Sequence, residues 1–309
     1  MGEHVLLVGA ILLDVKGKPQ AGLEPGVSNP AAIRSTRGGT ARNVAENLAL
    51  LGADVYLISA VGDDLPGKQL LEQTAASGVH VETVQVIKGA STGTYVAVLE
   101  EDGSLSVAMD DVRVMAAITP ELLETRRDLF ADAAMIMMDG SLLPETMAKV
   151  VELAQAYDVP LVADPSSTRV AYKLRPYLSH LHLVVPNERE AAELCELEFD
   201  ENDTDAGLHL ARALVKAGVE HAVVTRADFG LNYATDQETG MIPARYSQFV
   251  DSTGTGDALT AAIIFGMLNE LPDIESMRLG AAAVSLTLQT AETVVPNLSL
   301  DMLYEHLIV

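Results

Sequence analysis

Val5-Leu6-Leu7-Val8-Gly9-Ala10-Ile11-Leu12-Leu13, closed by Asp14, is an unbroken uncharged run. It is far too short to cross a membrane and shows no polar alternation, so it predicts a strand buried on both faces, as in parallel sheets covered by helices. Val55-Tyr56-Leu57-Ile58-Ser59-Ala60-Val61-Gly62 reads the same way. Further buried strands are predicted near 134–138, 160–163, 181–185 and 221–225. Helical periodicity falls between them: 44–51 (closed by Gly52), 67–77 (closed by Gly78), 144–157, 187–196 and 205–217, with last helices near 257–270, 274–290 and 299–307. Strand–helix alternation of this kind predicts a doubly wound α/β fold, a sheet between two helical layers. Asp14, at the predicted carboxyl end of the first strand, lies where such sheets place ligands; a turn residue is the plainer reading.

Two stretches interrupt the alternation. Residues 15–37 are rich in Gly and Pro. Residues 84–113 carry a hairpin signature, Thr94–Leu99, Asp102-Gly103, then Leu105–Met109. Paired together, they predict a small β lid over the strand ends of a single domain spanning 1–309.

The chain has 309 residues, 49 % of them hydrophobic, so a large core is available. Acids number 44 and basic residues 20, giving −24, which speaks against nucleic acid polymers and anionic membranes as partners. Cys195 is the only cysteine, reads as an inert core thiol, and fits a reducing, cytoplasmic setting. The chain opens on a strand with no basic n-region before it, and no apolar run reaches transmembrane length.

The chemistry is concentrated in Asp251-Ser252-Thr253-Gly254-Thr255-Gly256-Asp257-Ala258, followed by the apolar run Leu259–Phe265. Glycines flanking one residue let the backbone approach a ligand, and the helix behind them aims free N–H groups and its dipole at the same point. That is a phosphate site. An acid there would repel a resting phosphate, so Asp257 reads as a base that deprotonates an attacking hydroxyl; the plainer alternative is an acid complementing the helix dipole. Gly38-Gly39-Thr40-Ala41-Arg42-Asn43 opens a helix and again implies close backbone approach, with Asn43 able to point at the same ligand.

Other known signatures are missing. There is no G-x-x-x-x-G-K-S/T, no G-x-G-x-x-G after the first strand, no G-x-S-x-G and no H-E-x-x-H or other metal spacing among the seven histidines. A dinucleotide oxidoreductase therefore lacks its fingerprint.

Taken in order, Asp14, Gly38-Gly39-x-x-x-Asn43, Asn187-x-x-Glu190, Thr225 with Gly230, and Gly254-x-Gly256-Asp257 resemble the ribokinase-like (PfkB) carbohydrate kinases over essentially the whole chain. Asp251–Asp257 resembles that family's D-T-x-G-A-G-D signature. The resemblance implies a three-layer αβα ribokinase-like fold and phosphorylation of a sugar or nucleoside hydroxyl by ATP with Mg²⁺. It implies Asp257 as the base, with Gly254, Thr255 and Gly256 as the anion hole. Asp14, Asn29, Gly38, Gly39, Arg42, Asn43, Thr92 and Asp111 would meet the acceptor. Asn187, Thr225, Arg226 and Gly230 would meet the nucleotide, and Glu190 would hold Mg²⁺ through water.

Two departures stand out. The family's usual T-x-G is Thr225-Arg226-Ala227 here, which leaves the adenine contacts open. Leu288–Glu292 lacks the glycine that many members place near a monovalent-cation site, so dependence on K⁺ is not implied.

Within the family, Ser28-Asn29-Pro30, Gly38–Gly52, Ser59–Asp64, Ala108–Val112 and Thr293–Ser299 resemble most the branch acting on pseudouridine. Pseudouridine has one more ring N–H than uridine, and Asp111 or Asp110 could accept from it; solvated turn residues are the alternative. Another nucleoside or a free sugar such as ribose, and a nucleoside-binding sensor without turnover, are the competing readings. Exposed lid edges, and the family's habit, imply a homodimer through the lid.

Overall fold

The computed structural model describes residues 2–102, 104–200, 203–226, 230–243 and 248–307. Its centre is an eight-stranded sheet. From one edge to the other it runs Thr239–Ile242, Leu231–Ala234, His221–Thr225, Leu183–Val184, Leu161–Asp164, Ala133–Asp139, His4–Val8 and Val55–Ile58. The last six strands are parallel and the first two are antiparallel additions. Because side chains alternate along a strand, Leu6, Val8, Ile136 and Met138 pack on one face with Met147, Val150 and Leu210. Val5, Leu7, Met135 and Met137 pack on the other with Val44, Leu48, Leu259 and Met277. Both faces are covered, which is why the strands read as continuous apolar runs.

The first apolar run is two strands, not one. His4–Val8 belongs to the core sheet, and Leu12–Pro19 begins a second, four-stranded sheet. The chain turns at Gly9, where a Cβ would lie 2.2 Å from the Asp139 carboxylate. Asp14 is therefore in the lid rather than at a core strand's end. The Val55–Gly62 run also divides at Ser59: Ala60–Gly62 leaves to pair with Gln85–Ile87.

The lid orders its strands Ala31–Gly38, Leu12–Pro19, Thr94–Leu99 and Leu105–Asp111, so the two irregular stretches do pair, apart from 85–87. Gly103 of its predicted turn lies outside the described residues. The short antiparallel pair Leu231–Ala234 and Thr239–Ile242 gave no sequence signal, being brief and centred on a buried Asn232.

Helix Thr255–Leu268 is apolar all round, as a helix buried on all sides must be. It packs between helices Thr40–Leu50 and Asp273–Thr287. Cys195 is half-buried, and burial pushes its thiol up to about 11, consistent with an inert thiol.

Candidate active site

The carboxyl ends of the core strands, the start of helix Thr255–Leu268 and the inner face of the lid enclose the site. A cavity of about 380 Å³ there is lined by Asp164, Asn187, Glu190, Thr225, Arg226, Ser252 and Gly254–Asp257, together with Thr40 and Ser166. Gly254 caps the helix at φ 85°, a conformation that disfavours any side chain. A Cβ there would also lie 2.1 Å from the Thr293 carbonyl oxygen. A Cβ on Gly256 would meet nothing within 4 Å, which leaves the first turn open to a ligand. The helix has no side-chain cap; Thr255 N donates to Ser252 O, and the Gly256 and Asp257 N–H groups remain for a ligand. Thr255 uses its hydroxyl to donate to Ser252 O at 2.8 Å, bracing the loop.

Asp257 is in the first turn, facing the cavity. Its Oδ2 accepts from Asn43 Nδ2 at 2.6 Å. Burial pushes its carboxyl up to about 7, with Asp14 and Asp139 adding to the rise and Asn43 and Arg42 opposing it. Asp14, also buried, is raised to about 6, chiefly by burial and against the pull of Arg42 and Lys16. No described residue donates a hydrogen bond to it. Asn43 Oδ1 is likewise buried without a partner. Unpaired buried acceptors are costly, so Asp14 and Asn43 Oδ1 are poised to receive hydroxyls beside Asp257. Gly38 makes this possible, since a Cβ there would overlap the Asp14 carboxylate at 1.9 Å. Gly39, at φ 94°, starts helix Thr40–Leu50.

Asp139, fully buried, ties this half together. Its Oδ2 accepts from the amides of Ala10 at 2.8 Å and Ala41 at 3.1 Å, and its Oδ1 from the Ser141 amide at 2.9 Å.

On the other half, Asn187 and Glu190 form a capping box: Asn187 Oδ1 accepts from Glu190 N at 3.0 Å, and Glu190 Oε2 from Asn187 N at 2.9 Å. Asn187 pairs with Thr225, joining adjacent strand ends. Arg226 N donates to Gly230 O at 2.9 Å; Ala227 lies outside the described residues. Asp164 is raised well above the usual carboxylate range by burial, then by Asp257 and Glu190. Burial also raises Glu190. Asp164, Glu190 and Asp257 line the same cavity, and their carboxylates are of the kind a hard divalent cation prefers, although their oxygens do not close into a ligand cluster as they stand.

Asp139 and Asp164 have no counterpart in the sequence reading. Both end strands, and an acid closing an apolar strand was the available signal.

Four of the anticipated acceptor contacts are engaged elsewhere. Arg42 is fully buried, donating to Gly38 O, Glu46 and Thr293, so it braces the wall rather than lining it. Thr92 is buried, accepting from Gly62 N and donating to Asp64. Asn29 is spent on Glu24 and Val27 of its own loop. Asp111 pairs with exposed Arg113, whose hydrogen bonds hold its carboxyl down at about 2. Strand register explains Asp111. Asp14 lies opposite Tyr95, and Tyr95 opposite Asp110, so Asp110 shares the inner face while Asp111, opposite Thr94, points outward.

A base-like acid at a phosphate-binding helix start, next to unpaired hydroxyl acceptors, defines a kinase of small hydroxylated substrates. Comparison with known proteins agrees. The profile of the pfkB family carbohydrate kinases matches residues 3–299, and the chain belongs to that family. It is a phosphotransferase acting on the alcohol of a sugar or nucleoside. It is 31 % identical to the pseudouridine kinase of Escherichia coli (strain K12) over 299 residues, 96 % of this chain and 94 % of that one. It is 28 % identical to the guanosine-inosine kinase of Exiguobacterium acetylicum over 304 residues, 96 % and 98 % of the two chains. The structure of Arabidopsis thaliana ribokinase complexed with ribose and ATP has the same fold, with a TM-score of 0.86, 22 % identity and full coverage of both chains. Among the described residues no helix is long and apolar enough to cross a membrane.

Proposed function

We propose that the chain transfers the γ-phosphoryl group of ATP to the 5′-hydroxyl of pseudouridine, giving pseudouridine 5′-phosphate and ADP. The observation that carries this is Asp257, held by Asn43 at the mouth of the Gly254–Gly256 loop with a carboxyl near neutrality. The attacking oxygen bonds to the γ-phosphorus as its proton passes to an Asp257 oxygen, and the bond to the ADP oxygen breaks. The helix-start amides stabilise the charge spreading over the phosphoryl oxygens. Asp14 and Asn43 Oδ1 receive the ribose hydroxyls. Glu190 and Asp164 would hold Mg²⁺, which would supply positive charge to the phosphates and favour the ionised form of Asp164 against the burial that, with Asp257 and Glu190, raises it. Asn187, Thr225 and Arg226 border the nucleotide side.

Pseudouridine is favoured by the similarity to the Escherichia coli pseudouridine kinase and by Asp110 on the inner lid face, an acceptor for the extra ring N–H. Similarity to the guanosine-inosine kinase supports a second reading, a purine nucleoside acceptor. Supplying ATP and Mg²⁺ with pseudouridine, uridine, inosine, adenosine and ribose separates them. Pseudouridine turns over fastest; a faster purine nucleoside or ribose overturns the assignment.

We read residues 1–309 as one kinase unit acting in the cytoplasm. The outer lid face, with Ile33, Val107 and Met109 more than half exposed beside Val15, Val96 and Val98, supports pairing with a second copy.

A further inference from the structure

Lys16 and Arg34 stand directly opposite each other on adjacent lid strands. Like charges in that position repel, and Lys16 is only 6 % exposed. Asp251, at the entrance to the glycine loop, resolves the conflict. Lys16 Nζ donates to Asp251 Oδ1 at 3.1 Å and Oδ2 at 3.0 Å, and also to Thr253 Oγ1. Arg34 adds a bond to Asp251 Oδ2. Asp251 Oδ1 also accepts from Thr253 N at 2.8 Å and Thr253 Oγ1 at 2.7 Å. The ammonium thus has three oxygens for its three donors. All three belong to the segment immediately before Gly254.

We infer that Lys16 is a positioning residue for phosphoryl transfer, an internal cation that fixes the phosphate-binding loop and ties it to the lid strand bearing Asp14. This rests on reading Gly254–Gly256 as the phosphate loop. An ordinary stabilising ion pair would serve on any surface. This one joins the two parts that must meet for reaction, at the cost of burying an ammonium and opposing two cations. Because the cation is covalently supplied, the wild-type chain needs no small monovalent ion at this point.

The test uses the full chain and a non-hydrolysable ATP analogue with Mg²⁺, titrated by calorimetry, so no acceptor need be known. Lys16→Ala leaves a hole ringed by oxygens. Affinity for the analogue falls about tenfold or more. Ammonium chloride restores it saturably, and choline chloride at the same ionic strength does not. Lys16→Met, which fills the hole with methylenes, shows the loss without the rescue. Wild-type affinity is the same in both salts. Lys16→Ala binding like wild type, or a loss that ammonium leaves unchanged, overturns the strut. Failure of the wild-type chain to bind the analogue overturns the loop reading instead, and the strut with it. Should Lys16→Ala not fold, Thr253→Val removes one oxygen at similar volume; unchanged affinity in that variant likewise rejects the inference.

Discussion

The two large sheets of this protein answer opposite demands. The core sheet is covered on both faces and presents acids only where its strands end, at Asp139 and Asp164. The lid is one layer thick. Its inner face carries Asp14, Lys16 and Asp110, and its outer face carries exposed Ile33, Val107 and Met109. A sheet with two buried faces has few positions free to vary, whereas a sheet with two working faces can change either. On the function proposed above, this difference gives chemistry to the core and choice of substrate to the lid. Core substitutions then act on kcat, and lid substitutions on KM.

The largest expected effect tests the core. Asp257→Asn keeps the shape of the Asn43 contact but cannot take a proton, so kcat falls about 10³-fold or more while acceptor affinity changes little. Near-normal turnover would remove Asp257 as the base. The same substitution has a stability signature. The folded carboxyl, near 7, lies above its ordinary value of 3.8. Ionisation between those values therefore costs stability, which is lost as pH rises through the folded pKa. Asp257→Asn raises Tm by roughly 2–6 °C at about pH 8 and leaves it unchanged at about pH 4.

Gly254→Ala comes next, combining a strained φ of 85° with the Thr293 carbonyl 2.1 Å from the new Cβ. It lowers stability by about 2 kcal/mol or more and turnover at least as steeply as its fold loss explains. A Tm equal to wild type would show that the loop is not held as described.

In the lid, Asp14→Ala raises acceptor KM about 10- to 100-fold with a smaller change in kcat, the size of a lost charged hydrogen bond. A pure kcat effect would break the division between the sheets. The pH profile sharpens it. The base works ionised, so kcat/KM rises through about 7 and falls about tenfold per unit below it. Acceptor KM rises only once Asp14 protonates, below about 6. The smallest effect concerns the lid's register. If pseudouridine is the acceptor, as proposed, Asp110→Asn narrows its advantage over uridine by a few-fold, and Asp111→Asn leaves it unchanged.

The same contrast explains what the sequence could reveal. Two-sided burial writes itself as unbroken apolar runs, so six core strands and the main helices were legible. The glycines and acid of Asp251–Asp257 were legible because a helix start has few chemical solutions. The lid's pairing was visible in outline, but not the break at Gly9 that moves Asp14 into it. That break is made by Asp139, 130 residues further along the chain. Arg42 and Thr92 illustrate the limit. Proximity to a motif locates a residue, but only packing decides whether its donors face a ligand or other side chains.

Asp139 has a final consequence. One carboxylate clamps the first core strand's exit and the Thr40–Leu50 helix start to a neighbouring strand, independently of the lid strands. Apart from the tie of Lys16 and Arg34 to Asp251, this frame is thus riveted separately from the lid. Descendants of this scaffold can vary the rest of the lid and acquire new substrates without rebuilding the machinery beneath, and laboratory diversification of the lid's inward-facing positions other than Lys16 and Arg34 should preserve catalysis while redirecting it.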